Sequence, residues 1–583
     1  LRGDRMSRRS VRILLLIILA VQCLVMVGWS STKQNGFLDE YLSLARAHYY
    51  YAGSSHSYEI EHSENWRPGT WVETDDLRAD LAVPDGGAFT ARPFTHSLKQ
   101  LLTDRNYMGL LNIVNHIFAP DELTFAPVIG LNIALLALTG LLLFSILRAL
   151  HVSGAAALFG VIWYGFSADA VNTVTYVRFY MLVSFLVALA VRLFLAGWQA
   201  QRQAAGAVLG ILALSALFLA FRDSELSLIL VVILTVGFAA GMLCRKRILQ
   251  LILFLIPLAA AVAVMFPQFV DILRVLRDPG SVAAGNGAAG WIAEGLLNAS
   301  PEFLVRNLKV GFWHVGTYFF AGTWSVYLLF GVLAALTVFC IVKRRRAGVG
   351  SAAAGNAPEA DHAEHAGDTG RTGEIRDAER SPADVGFAVI LAAAAAGYEI
   401  LLALAGVSYH NRYHTAVHVL VVLALCFWID RAVRGLPRKK PVRVVTGAAA
   451  AAFLAAVIAV PFTGQAIFYY LYPEDAELLE RLEDHREEDT VLLLTNEYYN
   501  PFAYDCVHHT GDGTRVLAVY AEQDPARSPE LPESFLVWTD GEAAGQKADR
   551  IREQIASLES EGYIIELLGE DHISAVYTAR RGS

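Results

Sequence analysis

Two adjacent carboxylates, Asp39 and Glu40, stand just after the first long apolar run of the chain, in the stretch FLDEYLSLARAHYY. A carboxylate can take a proton from an attacking hydroxyl or amine, so this pair could act as a general base. The alternative is a pair of solvated charges at a helix start, where acids favour the helix dipole. The stretch is typical of an amphipathic helix at a membrane surface, which strengthens the first interpretation.

Arginine beside tyrosine occurs twice at the edge of an apolar run. Arg178 precedes Tyr180 in YVRFYML, and Arg412 precedes Tyr413 in YHNRYH. An arginine entering a membrane span is costly unless it meets an anion, a carboxylate or water. Each guanidinium therefore either snorkels towards the interface or uses its planar donors to hold a phosphate.

Two further segments carry polar side chains of interest. FTARPFTH places Arg92 and His96 on either side of a proline that fixes the backbone. These side chains are either surface groups of a loop turn or contacts to a bound anion or polar acceptor. Glu399 lies inside an apolar run, and an intramembrane acid is expected to face a cavity or a partner.

Three histidines, His410, His414 and His418, follow one another at a spacing of four. In a continuous helix this spacing puts them on one face. They could contribute to a metal site, but zinc would need a further ligand from elsewhere, so polar packing or substrate contact is the favoured interpretation. No metal ligand set is assigned.

The composition is that of a polytopic α-helical membrane protein. Of 583 residues, 55% are hydrophobic and 18% are charged, with a mean hydropathy of +0.41. Runs of roughly twenty apolar residues are long enough to cross a bilayer as helices. About eleven such spans are predicted, near 13–29, 126–147, 153–168, 179–196, 204–221, 226–243, 248–266, 316–342, 385–407, 413–430 and 443–463.

The basic residues of the short loops predict the orientation. Lysine and arginine in RMSRRSVR, CRKR, VKRRR and RAVRGLPRKKPVR all fall on one side if the spans alternate, which puts the N-terminus inside and the C-terminus outside. We expect a multi-pass protein of the plasma (inner) membrane. Residues 471–583 hold 25 acidic against 9 basic side chains. This acidic outer region gives no reason to expect a nucleic-acid partner.

Three regions outside the spans complete the predicted organisation. Residues 1–465 form a transmembrane domain whose outer loop, 30–124, carries interfacial helices. Residues 344–384 are rich in glycine, alanine and charge, which is typical of a disordered cytoplasmic linker. Residues 471–583 alternate short apolar runs with charged helical patterns, which predicts a small extracytoplasmic α/β domain with a partly parallel sheet.

Together these motifs resemble the GT-C superfamily of integral membrane glycosyltransferases, in the group that includes protein O-mannosyltransferases and the aminoarabinose transferases of lipid A. The features that carry the resemblance are the acidic pair after the first span, the helices of a large first outer loop, the Arg-x-Tyr at the fourth span and the Arg-Tyr before a late span. The resemblance covers roughly residues 1–465.

The resemblance implies a polyprenyl-phosphate sugar donor and an extracytoplasmic acceptor, which could be a glycan, a lipid or a protein. It implies Asp39 as general base, with Glu40 supporting it or binding acceptor. It further implies Arg178 and Arg412 as contacts to the donor phosphate, with Arg92 as a third candidate. The remaining candidates, all for substrate contact, are Tyr180, His96, Tyr413 and Glu399. No cofactor is assigned, because arginine alone can stabilise the leaving phosphate, but some members of the superfamily use divalent ions and a divalent cation is kept as an alternative.

Two other classes of function fit parts of the pattern. A transporter or flippase of a lipid-linked glycan could line a path with the same acids and arginines, and a non-catalytic envelope-assembly protein could use its outer domain to bind a partner. The large first outer loop and the lack of a repeated half favour the enzyme over the transporter.

Overall fold

A computed structural model gives the structure of the protein. It describes residues 8–37, 39–41, 43–44, 69–81, 106–118, 124–277, 300–327, 331, 382–408, 410–436, 440–463, 471–472, 475–485, 488–495, 501–511, 513–520, 531–541, 546–571 and 573–582. The chain forms two compact units. The first, called the membrane unit, comprises residues 1–25, 134–173 and 179–467. The second comprises residues 26–133, 174–178 and 468–583 and is called the outer unit after the predicted orientation.

Helices dominate the membrane unit. Three of them begin or end in the outer unit. In chain order they are α1 (Arg8–Ser30), α4 (Ala126–Ala149), α5 (Gly154–Phe166), α6 (Ala168–Thr175), α7 (Tyr180–Gln199), α8 (Gln203–Asp223), α9 (Leu228–Cys244), α10 (Ile248–Arg277), α11 (Pro301–His314), α12 (Pro382–Leu404), α13 (Thr415–Gly435) and α14 (Lys440–Ala459). Two helices between α1 and α4, α2 (Thr74–Leu81) and α3 (Asn106–Phe118), belong to the outer unit. Their apolar composition suits a lipid environment, where backbone groups must be satisfied within the segment.

Within the described ranges, eight helices are long and apolar enough to cross a membrane, and nine if the bent pair α5 and α6 counts as one span. The eight coincide with predicted spans, and α5 lies at the predicted span 153–168. The protein is thus a multi-pass helical membrane protein.

The predicted span at 316–342 begins differently from expectation. A short π-helix at Val315–Phe319 is followed by Ala321 and Gly322 in the left-handed region, with φ of 66° and 112°. Left-handed residues end a helix because they redirect its backbone hydrogen bonds. The span predicted near 316–342 is therefore interrupted at residues 320–322, and helix resumes at residues 323–327. The rest of that prediction lies largely outside the described residues.

The outer unit contains one six-stranded sheet. Its elements are β1 (Trp71–Glu73), α2 (Thr74–Leu81), α3 (Asn106–Phe118), α15 (Ala476–Glu483), β2 (Thr490–Thr495), α16 (Pro501–His509), β3 (Arg515–Tyr520), β4 (Ser534–Asp540), α17 (Gln546–Ser560), β5 (Tyr563–Glu570) and β6 (Ser574–Arg581). The strand order is β1-β3-β2-β4-β6-β5. Strands β3, β2 and β4 are parallel, and the other neighbours are antiparallel.

The sheet confirms the strands predicted in residues 471–583 and adds one that was not predicted. Strand β1 comes from the first outer loop and pairs with β3, with Trp71 opposite Leu517. Its three residues are too few to give an alternating pattern in the sequence. The first outer loop and the C-terminal region consequently share one sheet.

Candidate active site

The chain leaves α1 at Ser30 and starts a new helical turn at Asp39. Glu40 Oε2 accepts the backbone N–H of Phe37 at 2.7 Å, while Glu40 N–H donates to the Phe37 carbonyl. A glutamate that reaches back to the residue before the first turn is half of a capping box. This contact joins two residues of the stretch FLDE, and it helps to fix the direction of the side chain of Glu40.

Glu40 is fully enclosed, with 0% of its side chain exposed. It accepts hydrogen bonds from Lys33 Nζ at 3.0 Å and from the backbone N–H of Val177 at 2.7 Å, besides that of Phe37. Burial raises the pKa of Glu40, and the charge of Lys33 and the N–H groups oppose that rise. This carboxylate has no exposed surface and is held by three described hydrogen bonds, which suits a supporting role.

Lys33 is the partner of Glu40 and is itself almost enclosed, with 4% of its side chain exposed. Its ammonium lies 5.2 Å from the ring centre of Phe125 and 5.7 Å from that of Tyr472. Burial lowers the pKa of Lys33, while Glu40 acts to raise it. Sequence reasoning missed Lys33. Its position three residues beyond the first helix is the only signal in the sequence.

Asp39 is held differently from Glu40, because 28% of its side chain stays exposed. Tyr176 Oη donates to Asp39 Oδ2 at 3.0 Å, and Arg178 Nη2 lies 3.6 Å from Oδ1. Arg178 Nη1 also donates to the Asp39 carbonyl at 3.3 Å and to Ser43 Oγ at 3.0 Å. Asp39 thus presents a fixed, partly open carboxylate beside a guanidinium.

The segment 174–178 supplies these partners from the end of α6. Asn132 Nδ2 of α4 donates to the carbonyls of Val174 and Tyr176, both at 3.1 Å. These bonds satisfy carbonyls that the helix end leaves unpaired, and they fix the turn before Arg178. Tyr176 and Asn132 were not predicted, although Tyr176 stands in the same stretch, TYVRFY, as Arg178.

In the membrane unit, Tyr180, Arg412 and Tyr413 lie together. Arg412 Nη2 donates to Tyr413 Oη at 3.4 Å, and the guanidinium carbon lies 5.2 Å from that ring centre. The rings of Tyr180 and Tyr413 meet edge to face, 6.1 Å apart. Three of the predicted donor and substrate contacts therefore form one group.

Glu399 belongs to the same neighbourhood. It lies 2.9 Å from Nδ1 of His414, whose Nε2 is 3.1 Å from the carbonyl of Ser408. The preceding residue of α12, Tyr398, donates to the carbonyl of Tyr413 at 2.9 Å. An acid inside an apolar helix is thus paired, as intramembrane acids generally are.

The prediction that three histidines share one helix face is wrong. Residues 411–413 form a 3₁₀ turn, and α13 begins only at Thr415, after His414. His418 instead pairs with Asp169 of α6, Nδ1 to Oδ2 at 2.6 Å, under the stacked ring of Phe319. The four-residue spacing held no information about the break, because turn geometry depends on the packing around it.

The described site residues predicted from the sequence form two groups, one in each unit. Arg92 and His96 lie outside the described residues. Asp39, Glu40 and Arg178 come together in the outer unit, and Tyr180, Arg412, Tyr413 and Glu399 in the membrane unit. Across the described ranges, no group of three or more His, Cys, Asp or Glu side chains is placed to hold a metal ion.

The chain is similar to known proteins in structure, but no match to it was found at the level of sequence families. No family model and no curated sequence matches the chain. ArnT from Cupriavidus metallidurans, solved bound to undecaprenyl phosphate, is similar over 98% of both chains, with 12% identity and a TM-score of 0.47. The mycobacterial arabinofuranosyltransferase AftD is similar over 100% of this chain and 42% of its own, with 13% identity and a TM-score of 0.37.

Proposed function

We propose that the protein is a membrane glycosyltransferase that moves a sugar from a polyprenyl-phosphate-linked donor to an extracytoplasmic acceptor. The observation that carries the proposal is the contrast between two adjacent acids. Asp39 is 28% exposed and is oriented by Tyr176 and Arg178, whereas Glu40 is enclosed and paired with Lys33. A general base must reach its substrate, so Asp39 is assigned the chemistry and Glu40 the support.

The proposed reaction is a single displacement at the anomeric carbon. The acceptor oxygen or nitrogen forms a bond to that carbon and loses its proton to Asp39, while the bond from the carbon to the phosphate oxygen breaks. The electron pair of that bond leaves with the lipid phosphate. Charge develops on this phosphate, and preorganised cations stabilise it most effectively in a water-poor site.

The phosphate contacts are assigned to Arg178 and Arg412, with Arg92 as a further candidate. Arg178 lies beside Asp39, and the planar N–H donors of a guanidinium suit the oxygens of a phosphate. Tyr180, Tyr413, Glu399 and His96 are assigned to substrate contact. A divalent cation is kept as an alternative contributor to phosphate binding.

The test uses purified full-length protein with a panel of undecaprenyl-phosphate-linked sugars and cell-envelope extracts as acceptors. Asp39→Asn should lower sugar transfer by about a hundredfold or more, because it removes the base. Binding of undecaprenyl phosphate should stay within about twofold of wild type. Arg412→Gln should weaken that binding instead.

Asp549→Asn is the matched control, because Asp549 lies on the exposed face of α17 and pairs only with Arg552 among the described contacts. It should transfer sugar like wild type. Full transfer by Asp39→Asn would exclude the proposed base. A wild-type protein that neither binds undecaprenyl phosphate nor transfers any sugar of the panel would contradict the function itself.

A further inference from the structure

A buried polar cluster connects the loop before Asp39 to the sheet of the outer unit. Its centre is Asn35, whose exposed fraction is 1%. Asn35 Nδ2 donates to Asp505 Oδ1 at 2.9 Å and lies 3.5 Å from Asp571 Oδ2. Its amide oxygen accepts from Tyr41 Oη at 2.6 Å and from the N–H of Gly36 at 2.7 Å. A single side chain therefore bridges the loop and two carboxyl groups.

The two carboxyl groups are themselves held by the sheet. Asp505, on α16, is fully buried and accepts from Ser574 Oγ at 2.7 Å. Asp571, between β5 and β6, accepts the backbone N–H groups of Ile573 and Ser574 at 2.7 and 2.5 Å. His509 Nε2 lies 3.0 Å from the Asn35 amide oxygen and 3.4 Å from Asp505 Oδ1.

The loop from Lys33 to Phe37 has little room to move independently of this cluster. The N–H of Gln34 donates to the carbonyl of Leu471 at 2.8 Å. A Cβ at Gly36 would lie 2.3 Å from Cζ of Phe125, so the backbone is pressed against that ring. Asn35 fixes the middle of the loop, and both acids of the candidate site follow within five residues.

We propose that Asn35 is a positioning residue, through which the carboxyl pair Asp505 and Asp571 fixes the loop that presents Asp39. The inference rests on the proposed function for the role of Asp39. It also gives the C-terminal region a task in the reaction, because two of its side chains hold the segment that carries the base. Tyr41 Oη, which donates to Asn35, extends the same contact into the helical turn of Asp39 itself.

The carboxyl pair makes this contact dependent on pH. Burial, and then the charge of Asp505, raise the pKa of Asp571 to about 8. Asp571 is therefore protonated at neutral pH and ionised above about pH 8. The titratable groups around the carboxyl pair are Asp475, Tyr41 and His509. Tyr41 in turn interacts with Glu40, which pairs with Lys33.

Ionisation of Asp571 places a second negative charge beside Asp505. Because the folded-state pKa is raised above the ordinary value of 3.8, the stabilising contribution of Asp571 is fully present below that value and is lost as the pH rises through about 8. The two carboxylates that repel each other, Asp505 and Asp571, both contact Asn35. Above about pH 8 the loop should therefore open more often.

The experiment measures amide hydrogen exchange in the peptide 31–41 of the full-length protein without substrate, with rates corrected for the intrinsic effect of pH. In wild type, exchange should become about tenfold faster between about pH 6.5 and about pH 9.5. Asp571→Asn keeps the volume but removes the titration, so its exchange should stay nearly constant. Asp549→Asn, an exposed acid of the same unit, should behave like wild type.

A second measurement separates positioning from general support of the fold. Asn35→Ala should lower kcat for the transferred sugar by about tenfold or more with KM within about threefold, since the base is displaced but the binding groups remain. Asp571→Asn should extend activity to higher pH. If wild-type exchange is insensitive to pH, or if Asp571→Asn follows wild type, the inference is overturned.

The two proposals fail in distinguishable ways. Hydrogen exchange needs no substrate, so the pH response of peptide 31–41 in Asp39→Asn reports on the loop alone. If Asp39→Asn still transfers sugar, the assignment of Asp39 as the base is contradicted, but the hydrogen-exchange result is not affected. If Asp39→Asn loses transfer but the exchange rate does not depend on Asp571, the assignment of Asp39 as the base is supported and the positioning role of Asn35 is contradicted.

Discussion

At the scale of single residues, two adjacent acids of similar chemistry are given opposite environments. Glu40 is turned inwards by the helix start, where Lys33 and two backbone N–H groups hold it. Asp39, one position earlier on the helical turn, keeps an open edge. Burial of an ion pair costs desolvation energy that is recovered only with good geometry and further hydrogen bonds, and the Glu40 site supplies both.

The first residue-scale prediction concerns this buried pair. Glu40→Gln should lower the free energy of unfolding by about 3 kcal/mol, because it leaves the enclosed Lys33 without its counter-ion. Thermal unfolding in detergent measures the effect. The double variant Lys33→Met with Glu40→Gln should recover part of the loss, since neither charge of this buried pair remains.

The exposed pair Asp549 and Arg552 provides the control for that cycle. Replacing both with Asn and Met should change the free energy of unfolding by less than about 1 kcal/mol, because solvent screens exposed pairs. A Glu40→Gln protein as stable as wild type would show that the Lys33–Glu40 contact does not support the loop.

At the scale of elements, close helix packing depends on small residues. On α9, a Cβ at Gly241 would lie 1.8 Å from Cζ3 of Trp198 on α7, and one at Gly237 would lie 2.6 Å from Cγ2 of Ile390 on α12. Small residues four apart let helices approach closely in membranes, where van der Waals packing drives association. One helix thus uses two glycines against two different neighbours.

The element-scale prediction compares two glycine-to-alanine changes. Gly241→Ala should lower the thermal midpoint of the protein in detergent, because the indole ring of Trp198 has to move. Gly447→Ala on α14, which meets nothing within 4 Å, should leave the midpoint unchanged or raise it slightly, since alanine favours a helix by about 0.5–1 kcal/mol over glycine. Equal effects of the two changes would contradict tight α7–α9 packing.

The strands of the outer unit show what patterns predict well. Runs such as TVLLLT and RVLAVY appear as β2 and β3, since both are rich in β-branched or large apolar residues with no helical period. Strand β1 was not predicted, because three residues are too few to show an alternating pattern and their partner β3 lies more than 400 residues away in the sequence. Long-range pairing is decided by tertiary contacts.

At the scale of the whole molecule, the distribution of lysine and arginine predicts the topology. Basic loops alternate with apolar spans, which puts the end of α9 inside and the acidic region after residue 471 outside. This arrangement would place Asp39 where a lipid-linked donor and an external acceptor are both accessible. The orientation remains a prediction that labelling can test.

The topology test uses single cysteines and a membrane-impermeant maleimide. Cys244, exposed at the end of α9, should react only after the cells are opened, when it is the sole remaining cysteine. Ala556→Cys, on the exposed side of α17 in a protein without native cysteines, should react in intact cells. Labelling of Cys244 in intact cells would reverse the orientation.

The sequence alone determined the class of protein, the position of most spans, the strands after residue 471 and the choice of Asp39 and Arg178 as candidate site residues. The class, the spans and the strands follow from composition and local periodicity, which short stretches of chain express on their own. The choice of Asp39 and Arg178 follows from their positions at the ends of apolar runs and from the resemblance to GT-C glycosyltransferases. The local capping contact of Glu40 also follows from neighbouring residues.

Only the tertiary structure decided which acid is open and which is enclosed, and it alone supplied Lys33, Tyr176 and Asn35 as partners. Tyr176 is distant in sequence from Asp39, as Asp505 is from Asn35, and nothing in either segment records its partner. The same holds for His414 and His418, whose different partners depend on a turn. Burial and hydrogen bonding are properties of the packed chain, and they separate residues that composition treats as alike.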